Sequence, residues 1–141
     1  MTTKAFQQLC DSFDLLEDWE DRYRFIIELG QTLAPMDNVL KTEATRVRGC
    51  VSQVWLYAHK DSDGKLHFLA DSDAHIVRGL IAVVMTLIQG RSAQAIADTD
   101  LRAALEDIGL AQHLSASRTN GLWSMIRRIK EIVKERLETD G

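Results

Sequence analysis

An α+β architecture is what this chain predicts, and three features of the sequence predict it. Apolar residues recur at helical spacing before residue 34 and again beyond residue 74. Between these regions, two β-branched and aromatic runs flank Asp63-Gly64, a dipeptide that accepts the positive φ of a tight hairpin. The lone proline, Pro35, leaves long helices unobstructed elsewhere. Helices, then a small antiparallel sheet, then helices is a segregated order, unlike the alternating pattern of a parallel sheet.

The first helix spans Thr3 to Leu16, with Phe6, Leu9, Phe13 and Leu16 on one side. Asp18 offers an N-cap for WEDRYRFIIELGQTL, whose apolar side is Trp19, Tyr23, Ile26, Ile27 and Leu33. Pro35 closes that segment, and Asp37 to Thr45 has no period. Thr45 to Arg48 reads as a short strand leading into a turn at Cys50. Val54 to His59 is a strand, and Leu66 to Ala70 is its antiparallel partner across the KDSDGK turn. Asp71-Ser72-Asp73 supplies capping oxygens for a helix from Ala74 to Gln89, with Ile76, Leu80, Val83, Val84, Leu87 and Ile88 as its core stripe. Gly90 ends it. Short capped helices follow over Ser92 to Ala97 and Asp100 to Ile108, then a connection from Gly109 to Ala116. A long helix from Arg118 to Glu138 turns Leu122, Met125, Ile126, Ile129, Ile132, Val133 and Leu137 inward. Its outer charges, among them Arg127 and Arg128, read as a solvated face.

At 141 residues the chain is the size of one domain, Met1 to Gly141, with length enough for its own core. A hydrophobic fraction of 45% with 27% charged residues is ordinary globular composition. The net charge of −4 disfavours nonspecific binding to nucleic acid or to an anionic membrane. The longest apolar run, Gly79 to Ile88, is about half the length of a membrane span. The N-terminal residues lack the apolar core of a signal peptide. Two cysteines, Cys10 and Cys50, are too few for a disulfide framework, so a cytoplasmic protein with reduced thiols is expected.

Cys50 is the residue that invites chemistry. It follows Gly49 and precedes the strand, where a core filler would sit inside the apolar run. Arg46 and Arg48 lie close in sequence, and positive charge favours the reactive thiolate. Spacing alone leaves a small buried residue equally open. Cys10, among Leu9, Phe13 and Leu16, reads as packing. His59, His67, His75 and His113 supply no local Cys–His motif, and no short ligand spacing marks a metal site. No glycine-rich phosphate loop is present.

The stretch GCVSQVW, Gly49 to Trp55, resembles the GCxSQVW signature of the SufE family. Three further stretches resemble that family in the same order: Trp19 to Gly30, Asp71 to Val84, and Leu110 to Ile129. The resemblance implies a fold like that of IscU scaffold proteins, with a three-stranded antiparallel sheet packed by helices. It implies that Cys50 receives a persulfide sulfur from a pyridoxal-phosphate cysteine desulfurase of the Suf or Csd type. The sulfur then passes to an iron–sulfur cluster scaffold. The cofactor belongs to the desulfurase, and the carrier itself needs no cofactor or metal. Arg118, in HLSASR, falls on the family's arginine near the transfer surface. Gly49, Ser52, Gln53, Asp71 and Asp73 fall on partner-facing motif positions. Two positions depart from the pattern, Val51 after the cysteine and Ala116 before the Ser-Arg pair.

The expected role is therefore a covalent carrier and desulfurase activator rather than an enzyme. A Cys-dependent hydrolase or peroxidase would need a histidine beside Cys50. An IscU-type scaffold would need more thiols, and a purely structural adaptor would tolerate loss of Cys50. Arg46, Arg48 and Arg118 are the candidates for lowering the thiol pKa.

Overall fold

The computed structural model describes residues 3–140; of the expected domain, Met1, Thr2 and Gly141 lie outside the described residues. Helix α1 (Lys4–Asp14) is capped by Thr3, whose hydroxyl accepts from the Phe6 N–H at 3.1 Å and donates to the Thr86 carbonyl. Phe6, Leu9 and Phe13 are its buried side, as the spacing requires. Helix α2 (Trp19–Gly30) is capped by Asp18, which accepts from the Asp21 N–H at 2.9 Å. It ends earlier than expected, at Gly30, and Ile27, read as inward, is exposed. Half-buried Trp19, Tyr23, Phe25 and Leu29 pack against the core instead.

The sheet has the order β1-β2-β3, all antiparallel: β1 (Val54–Lys60), β2 (Lys65–Ser72) and β3 (Arg91–Ser92). Asp61 closes the hairpin by accepting from the N–H groups of Asp63 and Lys65, and Gly64 takes φ +80°. Thr45 to Arg48 is not a strand; it touches the sheet through one bridge, Arg46 to Trp55. The third strand is the two-residue β3, which the sequence hides at the start of a helix. Beyond it, Gln89 completes the edge of β2. Its side-chain amide accepts from the Phe68 N–H at 2.6 Å and donates to the Phe68 carbonyl at 2.9 Å. These are the bonds a longer strand would have made, so the edge is closed to foreign strands.

Helix α3 (His75–Ile88) is buried almost all round, because α2 and α1 cover it on one side and β2 on the other. The α2–α3 crossing is close: a Cβ on Gly79 would run into the Ile26 carbonyl, and one on Gly30 would lie 2.7 Å from Gly79 N. The capping role expected of Asp71-Ser72-Asp73 is corrected. Asp71 and Ser72 are the last residues of β2, and the N-cap position, Ala74, has no side-chain cap. Helices α4 (Ala93–Ala97) and α5 (Leu101–Asp107) carry their Ser92 and Asp100 caps. A short α6 (Leu110–His113) forms where a connection was expected, its terminal His113 ring stacked 3.8 Å from Trp19. The last helix, α7 (Ala116–Asp140), buries Leu122, Met125, Ile126, Ile129, Ile132 and Val133. Arg136 fastens it to β1 by donating to the Ala58 carbonyl at 3.2 Å. Among the described residues, no helix is long and apolar enough to cross a membrane.

Candidate functional site

Cys50 lies in a loop between Val47 and Val54 rather than at the strand itself. The loop is closed at its base by the Val47 N–H, which donates to the Val54 carbonyl at 2.8 Å. Gly49 takes φ +89°, where a side chain would be strained. It also fits closely against α7, since a Cβ would lie 2.6 Å from the Ser124 hydroxyl and displace it. That hydroxyl donates to the Gly49 carbonyl at 3.5 Å, holding the loop on the helix. At the far side Asp73 accepts from the Gln53 N–H at 3.1 Å, while the Asp73 N–H donates to the Gln53 carbonyl at 3.3 Å. Both ends of the loop are thus anchored.

Between the anchors, the Cys50 thiol turns inward and donates to the Gly121 carbonyl at 3.6 Å. It faces a cavity of about 390 Å³. Val54, Val77, Leu80, Leu122 and Met125 make the apolar part of the wall, and Ser115, Ser117 and Arg118 the polar part. Val51 and Ser52 stand at the mouth of the cavity beside the thiol, Val51 83% exposed. Ser115, just before α7, accepts from the Arg118 N–H at 3.4 Å, so the exposed Arg118 stands on the first turn of the helix at the rim.

Burial pushes the Cys50 thiol above its ordinary pKa, and the charge of Arg46 opposes that push without overcoming it. The expectation of an arginine-lowered thiol is corrected accordingly: Arg46 alone of the three pulls in that direction, and desolvation wins. Cys10 is also pushed up, by burial and then by Asp14, Asp11 and Asp107, an acidic setting that disfavours a thiolate. Both cysteines are free.

Asp71 does not line the cavity. It pairs with Lys41 at 2.8 Å and lies 3.0 Å from Arg78 Nε, an ion pair in which that nitrogen makes no aligned hydrogen bond. Lys41 also sits 5.3 Å from the centre of the Trp55 ring. Burial raises the Asp71 carboxyl, but the Lys41 hydrogen bond, the Ser72 N–H and the charges of Lys41 and Arg78 outweigh it and hold the group below the usual range. Asp71 and Asp73 therefore brace the sheet end and the loop. Sequence reasoning missed Ser124 and Gly121, although both fall in the motif-bearing stretch NGLWSM.

The histidines stand elsewhere. His59 and His67 stack at 5.5 Å on the hairpin arms, and His67 contacts Asp61 at 2.7 Å. Among the described residues no histidine lines the Cys50 cavity, and no group of three or more His, Cys, Asp or Glu side chains could hold a metal. A Cys–His pair is not assembled here.

The model of the SufE family, described as an Fe-S metabolism associated domain, matches residues 7–133. The chain belongs to the SufE family. It is 47% identical over 136 residues to an uncharacterized SufE-like protein of Rhizobium meliloti, covering 94% of this chain and 97% of that one. An uncharacterized SufE-like protein of Rhizobium etli is 45% identical over 135 residues, covering 94% and 91%. The fold is similar to the solution structure of a hypothetical protein from Thermus thermophilus, with a TM-score of 0.79 at 20% identity. That match covers 98% of this chain and 99% of the other. SufE membership places the chain in iron–sulfur metabolism and fits the α+β architecture with its three-stranded sheet.

Proposed function

We propose that this SufE-family protein is a sulfur carrier, loaded on Cys50 by a pyridoxal-phosphate cysteine desulfurase and unloaded toward iron–sulfur cluster assembly. Its chief support is the thiol turned into a cavity with an apolar wall, on a loop anchored at both ends. A persulfide is destroyed by stray thiols and oxidants in water, so a carrier must shelter it between partners. The cavity, at about 390 Å³, has room for the added sulfur atom.

In the transfer, the Cys50 thiolate attacks the outer sulfur of the donor's persulfide. A sulfur–sulfur bond forms at Cys50, the bond to the donor's cysteine breaks, and the donor leaves as a thiolate. One persulfide is exchanged for another, so no oxidant is needed. The raised pKa suits this cycle. At rest, burial keeps Cys50 protonated and quiet; when docking draws the loop outward, the main cause of the raised pKa is removed and the pull of Arg46 remains. Gly49 supplies the hinge, Ser52 moves with the loop, and Gln53, held by Asp73, is its fixed end. Arg118, at the rim, meets the incoming donor. Asp71 and Asp73 contribute by holding the frame against which the loop moves.

Removing sulfur from the desulfurase frees that enzyme for its next turnover, so the protein acts as an activator and carries no reaction of its own. The test is direct. Incubation with a desulfurase and cysteine is expected to add sulfur to Cys50, seen by mass spectrometry. Cys50→Ser abolishes the adduct and the stimulation of sulfide release, while Cys10→Ser preserves both. Absence of the adduct in wild-type protein would overturn the proposal.

A further inference from the structure

A second concave surface lies on the other side of the Gly49–Ser124 contact. It encloses about 310 Å³ and gathers Arg46, Arg48, Arg127 and Arg128, with Glu43 and Glu131 also in its lining. Four arginines against two glutamates make this groove positive, on a chain whose net charge is −4. The two acids are already engaged, Glu43 with Arg48 at 2.9 Å and Glu131 with Arg128 at 3.4 Å. Among the described residues, the guanidinium groups of Arg46 and Arg127 have no hydrogen-bonding or ion-pairing partner.

We propose that this groove receives an acidic segment of the protein that delivers sulfur to Cys50. The inference rests on the sulfur-carrier reading and adds the docking chemistry to it. Its geometry is set by one helix. Gly121 meets the Cys50 thiol, Ser124 holds the Cys50 loop, and Arg127 lies in the groove. From Gly121 to Arg127 the helix rises about 9 Å. A protein whose cysteine reaches Cys50 therefore covers the groove as well. Arg46 joins the two places electrically, since its charge is felt at the Cys50 sulfur. Carboxylates suit the site because arginine forks bind them in two-point fashion. A nucleic acid is the poorer occupant, since the surrounding chain is acidic overall.

Charges at an interface rim act mainly on the rate of encounter, and salt screens them over about 10 Å at 0.1 M. Arg127→Glu is the informative variant, because Arg127 exerts no resolved pull on the thiol and is exposed, so folding and Cys50 alkylation stay as in wild type. The probes are a Suf-type and a Csd-type cysteine desulfurase, each supplied with cysteine. With whichever loads wild-type Cys50, Arg127→Glu is expected to slow association about tenfold at low salt, with the gap closing as salt is raised. A short oligoglutamate peptide slows loading of wild type and leaves the variant unaffected. If wild type loads normally and Arg127→Glu loads at the same rate at low salt, the groove is overturned and the carrier reading stands. If neither desulfurase loads wild-type Cys50, both fall.

Discussion

A thiol half withdrawn from water keeps its proton longer than one in solution, because the thiolate loses hydration that an apolar wall does not replace. Cys50 is in that position, with the charge of Arg46 as an electrostatic counterweight. The pH profile of alkylation by iodoacetamide is therefore expected to have its midpoint above the free-cysteine value of about 8.5. Arg46→Ala removes the opposing pull, so the midpoint rises further and the rate near neutral pH falls. A midpoint unmoved by Arg46→Ala would leave the thiol without its assigned counterweight. The same residue shows what the sequence could and could not tell. A cysteine at a glycine turn, with arginines nearby, marked Cys50 as a candidate and left a small buried residue equally open. Nearness in sequence did not show the sign of the shift, because the desolvating wall comes from Val77, Leu80, Leu122 and Met125 on α3 and α7.

Helices and the hairpin were legible because each is a local pattern: apolar spacing for the helices, Asp-Gly for the turn, capping oxygens at Asp18, Ser92 and Asp100. The strand β3 was not, since two residues carry no period and Ser92 also serves as a helix cap. Asp71-Ser72-Asp73 misled for a related reason. Short polar side chains suit a cap, and they equally suit a strand end that must hold a neighbouring loop. At the α2–α3 crossing, Gly79 carries the close approach. A methyl group there meets backbone at Ile26, which a rotamer change cannot clear. Gly79→Ala is expected to destabilise the fold by about 3 kcal/mol, lowering the thermal midpoint by about 10 °C, despite the better helix propensity of alanine. A midpoint equal to wild type in a calorimetric scan would mean the two helices can separate at little cost.

Across the whole molecule, function depends on contacts between segments that are distant in sequence. Arg46 and Arg48 meet Arg127 and Arg128 only through the fold, so the basic groove was invisible when the charges of α7 read as a solvated face. Asp71 works on the same scale. Standing at the end of β2, it joins Lys41 of the irregular connection to Arg78 of α3, beside the Trp55 ring of β1. Its carboxyl is held below its ordinary pKa in the folded chain, so it stabilises the fold above its unfolded value of about 3.9. That contribution is lost as pH falls through the lower, folded value. Asp71→Asn keeps the shape but leaves Lys41 and Arg78 facing no anion, at a cost of about 2 kcal/mol near neutral pH. The difference from wild type is expected to narrow as the solution is taken below about pH 4, where the wild-type carboxylate also becomes neutral. Urea unfolding of the two proteins across that range reads the effect. Because Trp55 is the second residue of the strand that follows the Cys50 loop, the variant is also expected to expose Cys50 to alkylating reagents more readily at neutral pH. Equal stability of the two proteins at pH 7 would show that the chain holds this corner together without the charge.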